Sequence, residues 1–142
     1  MIDKLIANLI PILTLVIAFL AYNLAKSQLA SMKKESLRGI AYSVYKDYLR
    51  LCFENPDFSY GNKDKIVING KLNEKYPWYI SQMLFTFEQI LEVDKKDNYW
   101  NKSIYSQLKR HDWYLKDSNS IKRCEWTPTL QKIIDIVIKE HK

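Results

Sequence analysis

The sequence predicts an all-α protein, with one N-terminal transmembrane helix continuing into a small antiparallel helical bundle. Three observations predict it. Residues 5–24 form a run of twenty without a charge, fenced by Lys4 and Lys26. Beyond that run, apolar residues recur at spacings of three and four, the period of an amphipathic helix. Four such helices are joined by short connections, which imply antiparallel neighbours.

The apolar run comes first. As a helix rising about 1.5 Å per residue it spans about 30 Å, the hydrocarbon thickness of a bilayer. A secretory signal would have a shorter apolar core and a small-x-small cleavage site. Cuts after Ala21 or Ala25 would put Phe19 or Asn23 at the upstream small position, and neither suits it. A retained anchor over residues 1–25 is therefore expected. Asp3 and Lys4 cancel before the run, whereas Lys26, Lys33, Lys34 and Arg38 follow it, opposed only by Glu35. Because positive flanks stay on the cytoplasmic side, the expected topology is single-pass in the inner membrane, N-terminus outside and C-terminal domain cytosolic. The same four basic residues can sit over anionic headgroups.

The anchor carries a face of small or compact residues, Ala7, Pro11, Thr14, Ala18, Ala21 and Ala25, at spacings of 4, 3, 4, 3 and 4. Such faces let transmembrane helices approach closely, and a Thr can bond across the contact. Self-association is one reading; an ordinary abundance of Ala in such helices is the other. Asn8 and Asn23 lie near the two ends, within reach of water or headgroups.

Residues 26–36 are polar but helix-compatible and are expected to carry the anchor helix out of the membrane as a juxtamembrane linker. Residues 37–142 form the cytosolic helical domain, of a size for one core. Its first helix shows Leu37, Ala41, Val44, Tyr48 and Leu51 on one face, flanked by Ile40, Tyr45 and Cys52, and ends at Asn55-Pro56-Asp57. Gly39 inside it marks a close crossing or a joint. Residues 55–75 are irregular. Asn69-Gly70 there is a hairpin-turn signal, but its flanks are short, so an ordered loop is expected and a small ribbon within it is left open. The second helix begins at Pro77 and buries Ile80, Met83, Leu84, Phe87, Ile90 and Leu91 as the central helix, with Trp78 and Phe85 on other sides. Residues 94–98 make a tight connection. The third helix carries Trp100, Ile104, Leu108, His111 and Leu115, and residues 118–125 make a loop. Thr127-Pro128 reads as an N-cap before a first-turn proline, opening a last helix with Leu130, Ile133, Ile134, Val137 and Ile138.

The charge balance, 22 Lys and Arg against 16 Asp and Glu, is moderately basic. It suits an anionic membrane surface; a dedicated nucleic-acid binder concentrates its charge more strongly. Cys52 and Cys124 lack any metal-ligand spacing and read as two ordinary buried thiols in a reducing compartment. No phosphate-loop, dinucleotide, zinc-protease or serine-hydrolase motif occurs, so no catalytic residue, metal site or cofactor is predicted. His111 lies on the apolar stripe beside Asp112, Lys109 and Arg110, either as a proton carrier or as a core-edge histidine bonded to a backbone carbonyl or to a carboxylate such as Glu88. Glu88 and Glu92, four apart, read as a solvated edge. Lys109, Arg110, His111, Trp113, Lys116, Lys122, Arg123 and Trp126 form a basic and aromatic segment that can hold phosphates and stack bases. It also suits a membrane face, a protein interface, or a solvated surface over core tryptophans.

The Tyr48-Leu49 to Asn55-Pro56 helix end, the segment YPWYISQMLFTFEQIL, and Trp100, Gln107-Leu108, His111 and Tyr114-Leu115 resemble a loose family of small bacterial single-pass membrane-anchored helical proteins. The resemblance covers about half the chain. It implies a shared core and carries no assigned activity. The architecture is also broadly similar to small membrane effectors of bacterial phage defence. The expected function is a non-enzymatic membrane-tethered interaction or effector module, in phage defence or stress signalling. Its partners would be the lipid bilayer, a second copy of the chain, and a cytosolic protein or small signalling ligand. The alternative is a membrane-anchored nucleotide or nucleic-acid sensor using residues 109–126.

Overall fold

A computed structural model describes residues 2–93 and 98–140, with side chains from residue 9 onward except at 98. The chain divides into two units, Met1–Leu37 and Arg38–Lys142. The expected connection at 94–98 falls almost wholly outside the described residues.

The first unit lies within helix α1, Ile2–Glu54, which has Pro11 inside it. The helix is long and apolar enough to cross a membrane, with a mean hydropathy of 1.9 in its most apolar window and none of that window buried. Its polar side chains turn back on the helix. The Thr14 hydroxyl donates to the Ile10 carbonyl (2.8 Å) and the Asn23 amide to the Phe19 carbonyl (3.0 Å). Donors satisfied within the turn cost little in an apolar medium. The Thr14 proton is thus committed to its own helix rather than to a bond across a helix contact. Pro11, Thr14, Ala18, Ala21 and Ala25 are all exposed, as are Lys26, Lys33 and Lys34. The side chains of Ala7 and Asn8 lie outside the described ones.

In the second unit, residues 38–54 of α1 bury Ala41 and Tyr48 and half-bury Tyr45, Leu51 and Cys52. Ile40, expected beside the buried face, is 47% exposed. The helix passes through Gly39 unbroken, and a Cβ built there meets nothing within 4 Å, so this glycine does not mark a close crossing. Asn55 and Pro56 end the helix as expected: a residue before proline is pushed out of the α region, and Asn55 stands at φ −131°, ψ 65°.

Two short helices follow, α2 (Pro56–Ser59) and α3 (Lys63–Ile66), then a two-stranded antiparallel ribbon, β1 (Val67–Ile68) and β2 (Lys71–Leu72). Val67 pairs with Leu72 and Ile68 with Lys71. Asn69 and Gly70 close the ribbon at φ 52° and 76°. Two positive φ values are what a type I′ turn requires, and Asn-Gly is the pair that adopts them at least cost.

Helix α4 (Tyr76–Val93) is the centre of this unit. Tyr76, Tyr79, Ile80, Met83, Leu84, Phe87, Ile90 and Leu91 are all buried on it, whereas Trp78 and Phe85 are exposed. Pro77 sits in its first turn, where a missing N–H costs nothing. Tyr48 of α1 packs edge-on against Phe87 at 5.1 Å between centroids, and α4 also packs against α5 and α8.

The single third helix expected over residues 100–115 is interrupted. Helix α5 (Asn98–Leu108) tightens into a 3₁₀ turn, Lys109–His111, before α6 (Asp112–Leu115). Ile104, Leu108, His111 and Leu115 are nevertheless all buried, because the turn keeps them on one side. A short helix α7 (Asn119–Lys122) occupies the expected loop after Ser118. Helix α8 (Pro128–Glu140) buries Leu130, Ile134 and Val137 and opens on its proline. Thr127 does not cap it by side chain, since its hydroxyl is buried without a partner. Instead the Glu88 carboxylate of α4 accepts the Thr127 N–H at 2.7 Å. Glu88 is therefore half-buried and engaged, and only Glu92 is exposed as a solvated edge would be.

Candidate functional site

The segment after α2 packs directly against the 3₁₀ turn. Gly61 has φ +65°, and a Cβ there would stand 2.0 Å from the Arg110 carbonyl oxygen and 3.2 Å from His111 Nδ1. Only a residue without a side chain fits both the backbone angle and the contact. The Trp113 indole N–H donates to the Gly61 carbonyl at 3.0 Å, and the Arg110 guanidinium reaches the Ser59 carbonyl at 3.5 Å. The residues around the turn thus hold the α2–α3 connection from both sides.

His111 is fully buried under this connection, with Nδ1 2.7 Å from the Tyr76 hydroxyl and Nε2 without a partner. Glu88 is not its partner. Burial lowers its pKa from 6.5 to about 4, with the Arg110 charge acting in the same sense and Asp112 against it. Burial likewise raises the Tyr76 phenol well above its ordinary value. Tyr79 lies 5.9 Å from the imidazole, and its hydroxyl meets the Cys52 thiol at 3.3 Å. Cys52 is half-buried as a core thiol would be, but Cys124 is exposed, at φ 52°.

Trp113 lies on the outer side of this cluster. Its ring is parallel to Tyr76 (5.5 Å, 3°), and Tyr114 stands edge-on at 5.9 Å. The Lys63 ammonium is 5.7 Å from the Trp113 ring centroid, within cation–π range. Here the surface opens into a groove of about 640 Å³. One wall is the start of α3 and the ribbon, through Lys63, Val67, Gly70 and Leu72. The other is the α6–α7 turn, with Trp113, Tyr114 and Lys116 followed by Asp117 and three hydroxyl or amide residues, 118–120. The volume is within the range of small-molecule sites. A second hollow, of about 440 Å³, lies between α5 and α8 and is lined by Tyr105, Ile133 and Ile136 with Lys102 and Lys132.

The eight residues of the expected basic and aromatic segment are dispersed. Of these, Trp113 and Lys116 line the groove. Lys109 pairs with Glu140 at 3.4 Å, and the Tyr105 hydroxyl donates to the same carboxylate. Arg110 serves the Ser59 carbonyl, and His111 is core. Lys122 stands 3.9 Å from Asp117, and Arg123 pairs with Glu125 at 2.7 Å. Trp126 is half-buried with its indole nitrogen unpartnered. Lys116, inside the expected segment, and Lys63, far outside it, are the groove's cations. Lys63 is brought there by the neighbouring Gly61, whose carbonyl accepts the Trp113 N–H, and nothing local in the sequence marks that contact. No group of three or more His, Cys, Asp or Glu side chains stands close enough for a metal ion among the described residues.

No protein-family model, curated protein or solved structure matches the chain.

Proposed function

We propose that this chain is a membrane-tethered, non-enzymatic interaction or effector module. The N-terminal part of α1 is its single transmembrane anchor, with the N-terminus outside, and residues 37–142 form a cytosolic antiparallel bundle. The observation that carries the reading is the twenty-residue charge-free run in a helix whose apolar window has no buried residue. A row of exposed Leu, Ile and Phe side chains is strongly disfavoured in water and is what a lipid-facing helix presents. The basic residues after the run, Lys26, Lys33, Lys34 and Arg38, support the orientation.

A non-enzymatic role is supported by the position of His111. As the most plausible acid–base residue of the sequence, it is fully buried and does not line the groove. The groove beside Trp113 is the natural receiving site for a small signalling ligand, and the small-residue face of the anchor is the natural contact for a second copy, through which binding would reach the membrane.

Carbonate extraction of membranes from expressing cells tests the tether. The full chain should stay in the pellet and a chain lacking residues 1–25 should be released. Release of both would refute an integral anchor. Protease added from the outside should leave residues 37–142 intact, and their digestion would reverse the orientation.

A further inference from the structure

We propose that the groove between the β1–β2 ribbon and the α6–α7 turn binds a free nucleotide, its phosphate taken by Lys63 and Lys116 and its base seated against Trp113 and Tyr114. This rests on the reading of the second unit as the receiving half of a tethered module, and it names the ligand class.

The charge, the stacking surface and the lining of the groove lead to it. Lys63 and Lys116 line the same groove, and among the described residues neither has a carboxylate partner. The groove's carboxylate, Asp117, stands 3.9 Å from Lys122, which offsets its charge, so the groove is cationic on balance. Trp113 is braced by its bond to the Gly61 carbonyl and by the parallel Tyr76 ring, so a stacking surface is present before any ligand arrives. The Lys63 ammonium lies over that same indole, which brings a phosphate-binding charge next to a base-stacking ring. Val67 and Leu72 supply an apolar wall opposite, and Ser118 and Ser120, 3.2 Å apart, supply hydroxyls for ribose or phosphate oxygens.

The same contacts argue for a free nucleotide over a nucleic-acid strand. A strand needs a track of unpaired cations along its backbone. Along residues 109–126, Lys109, Lys122 and Arg123 all face carboxylates, and Lys65 pairs with Asp57 at 2.7 Å. The two lysines left facing the groove suit one or two phosphates.

The test is titration of the full chain in detergent micelles with ATP, GTP, AMP, GMP, cyclic AMP, inorganic pyrophosphate and an oligothymidylate. At least one nucleotide should bind saturably below about 1 mM. Lys63→Gln and Lys116→Gln, both at exposed positions, should each weaken it about tenfold without moving the melting temperature. Trp113→Leu should abolish it, and should it unfold the chain the two lysine variants still decide. Failure of every nucleotide to bind overturns the proposal, as does binding that ignores both lysine substitutions. Pyrophosphate bound as tightly as any nucleotide would remove the base seat, and an oligothymidylate bound more tightly than all of them would make the ligand a strand. Membrane partition is read separately, so a chain that binds nucleotide yet leaves the carbonate pellet overturns only the tether.

Discussion

With Nδ1 on Tyr76 and no solvent at its ring, His111 takes a proton at about pH 4, whereas the unfolded chain takes it near 6.5. Above pH 6.5 the residue is neutral in both states and stability is unaffected by it. Between those values only the unfolded chain binds the proton, so stability falls as pH falls through the window and levels off below it. A difference of this size corresponds to roughly 3 kcal/mol. Denaturation midpoints at pH 7, 6 and 5 should therefore decline in the wild type and decline less in His111→Gln. Equal slopes would place the titration elsewhere. The groups facing the imidazole are the Tyr76 and Tyr79 phenols, Arg110 and Asp112. Two glycines give a second, paired prediction. Gly61→Ala meets both a left-handed backbone and the Arg110 carbonyl at 2.0 Å, and should cost at least about 2 kcal/mol. Gly39→Ala stands in an open helical position and should stabilise by about 0.5–1 kcal/mol. Thermal melts of the two variants should move in opposite directions.

Helix α8 depends on a residue of α4. The Thr127 N–H at its start is bound by the Glu88 carboxylate, while the Thr127 hydroxyl has no partner. Glu88→Ala leaves a half-buried N–H without an acceptor and should cost about 1–2 kcal/mol, with faster amide exchange in the first turn of α8. Glu88→Gln keeps an acceptor and should cost less. If both variants exchange like the wild type, the Glu88 contact does not hold this helix. The contrast between what starts α8 and what breaks α5 shows where sequence reading works. The starts of α4 and α8 are legible because Pro77 and Pro128 act within their own turns, and the buried faces follow a local period. The break at Leu108 is not, because the contacts made at it come from far away in the chain: Gly61 lies against the Arg110 carbonyl, and Tyr76 bonds to His111 from 35 residues off. The groove was hidden for the same reason. Lys63 reads as an ordinary solvated lysine until the Gly61–Trp113 bond places its segment beside that ring. Likewise the run of cations in residues 109–126 looks like one patch only in one dimension, since the 3₁₀ turn and α7 send its members to different carboxylates.

For the whole molecule, the anchor must do more than hold if the bundle is to report binding to the membrane. The face Ala7, Pro11, Thr14, Ala18, Ala21 and Ala25 is the feature proposed to permit this. The Thr14 hydroxyl already bonds to Ile10 and the Asn23 amide to Phe19, so neither group needs a partner on another chain. Association over this face would then rest on close backbone approach over the small residues rather than on the Thr14 hydroxyl. Size, not polarity, is therefore the variable to change. Ala18→Leu with Ala21→Leu keeps the helix apolar and helix-prone while holding two backbones apart, and should reduce crosslinked dimer in membranes roughly tenfold. Thr14→Val, which removes the hydroxyl but keeps the volume, should leave the dimer unchanged. A dimer that survives the two leucines would show that this face is not the contact, and one lost with Thr14→Val would show that hydrogen bonding, not packing, holds it.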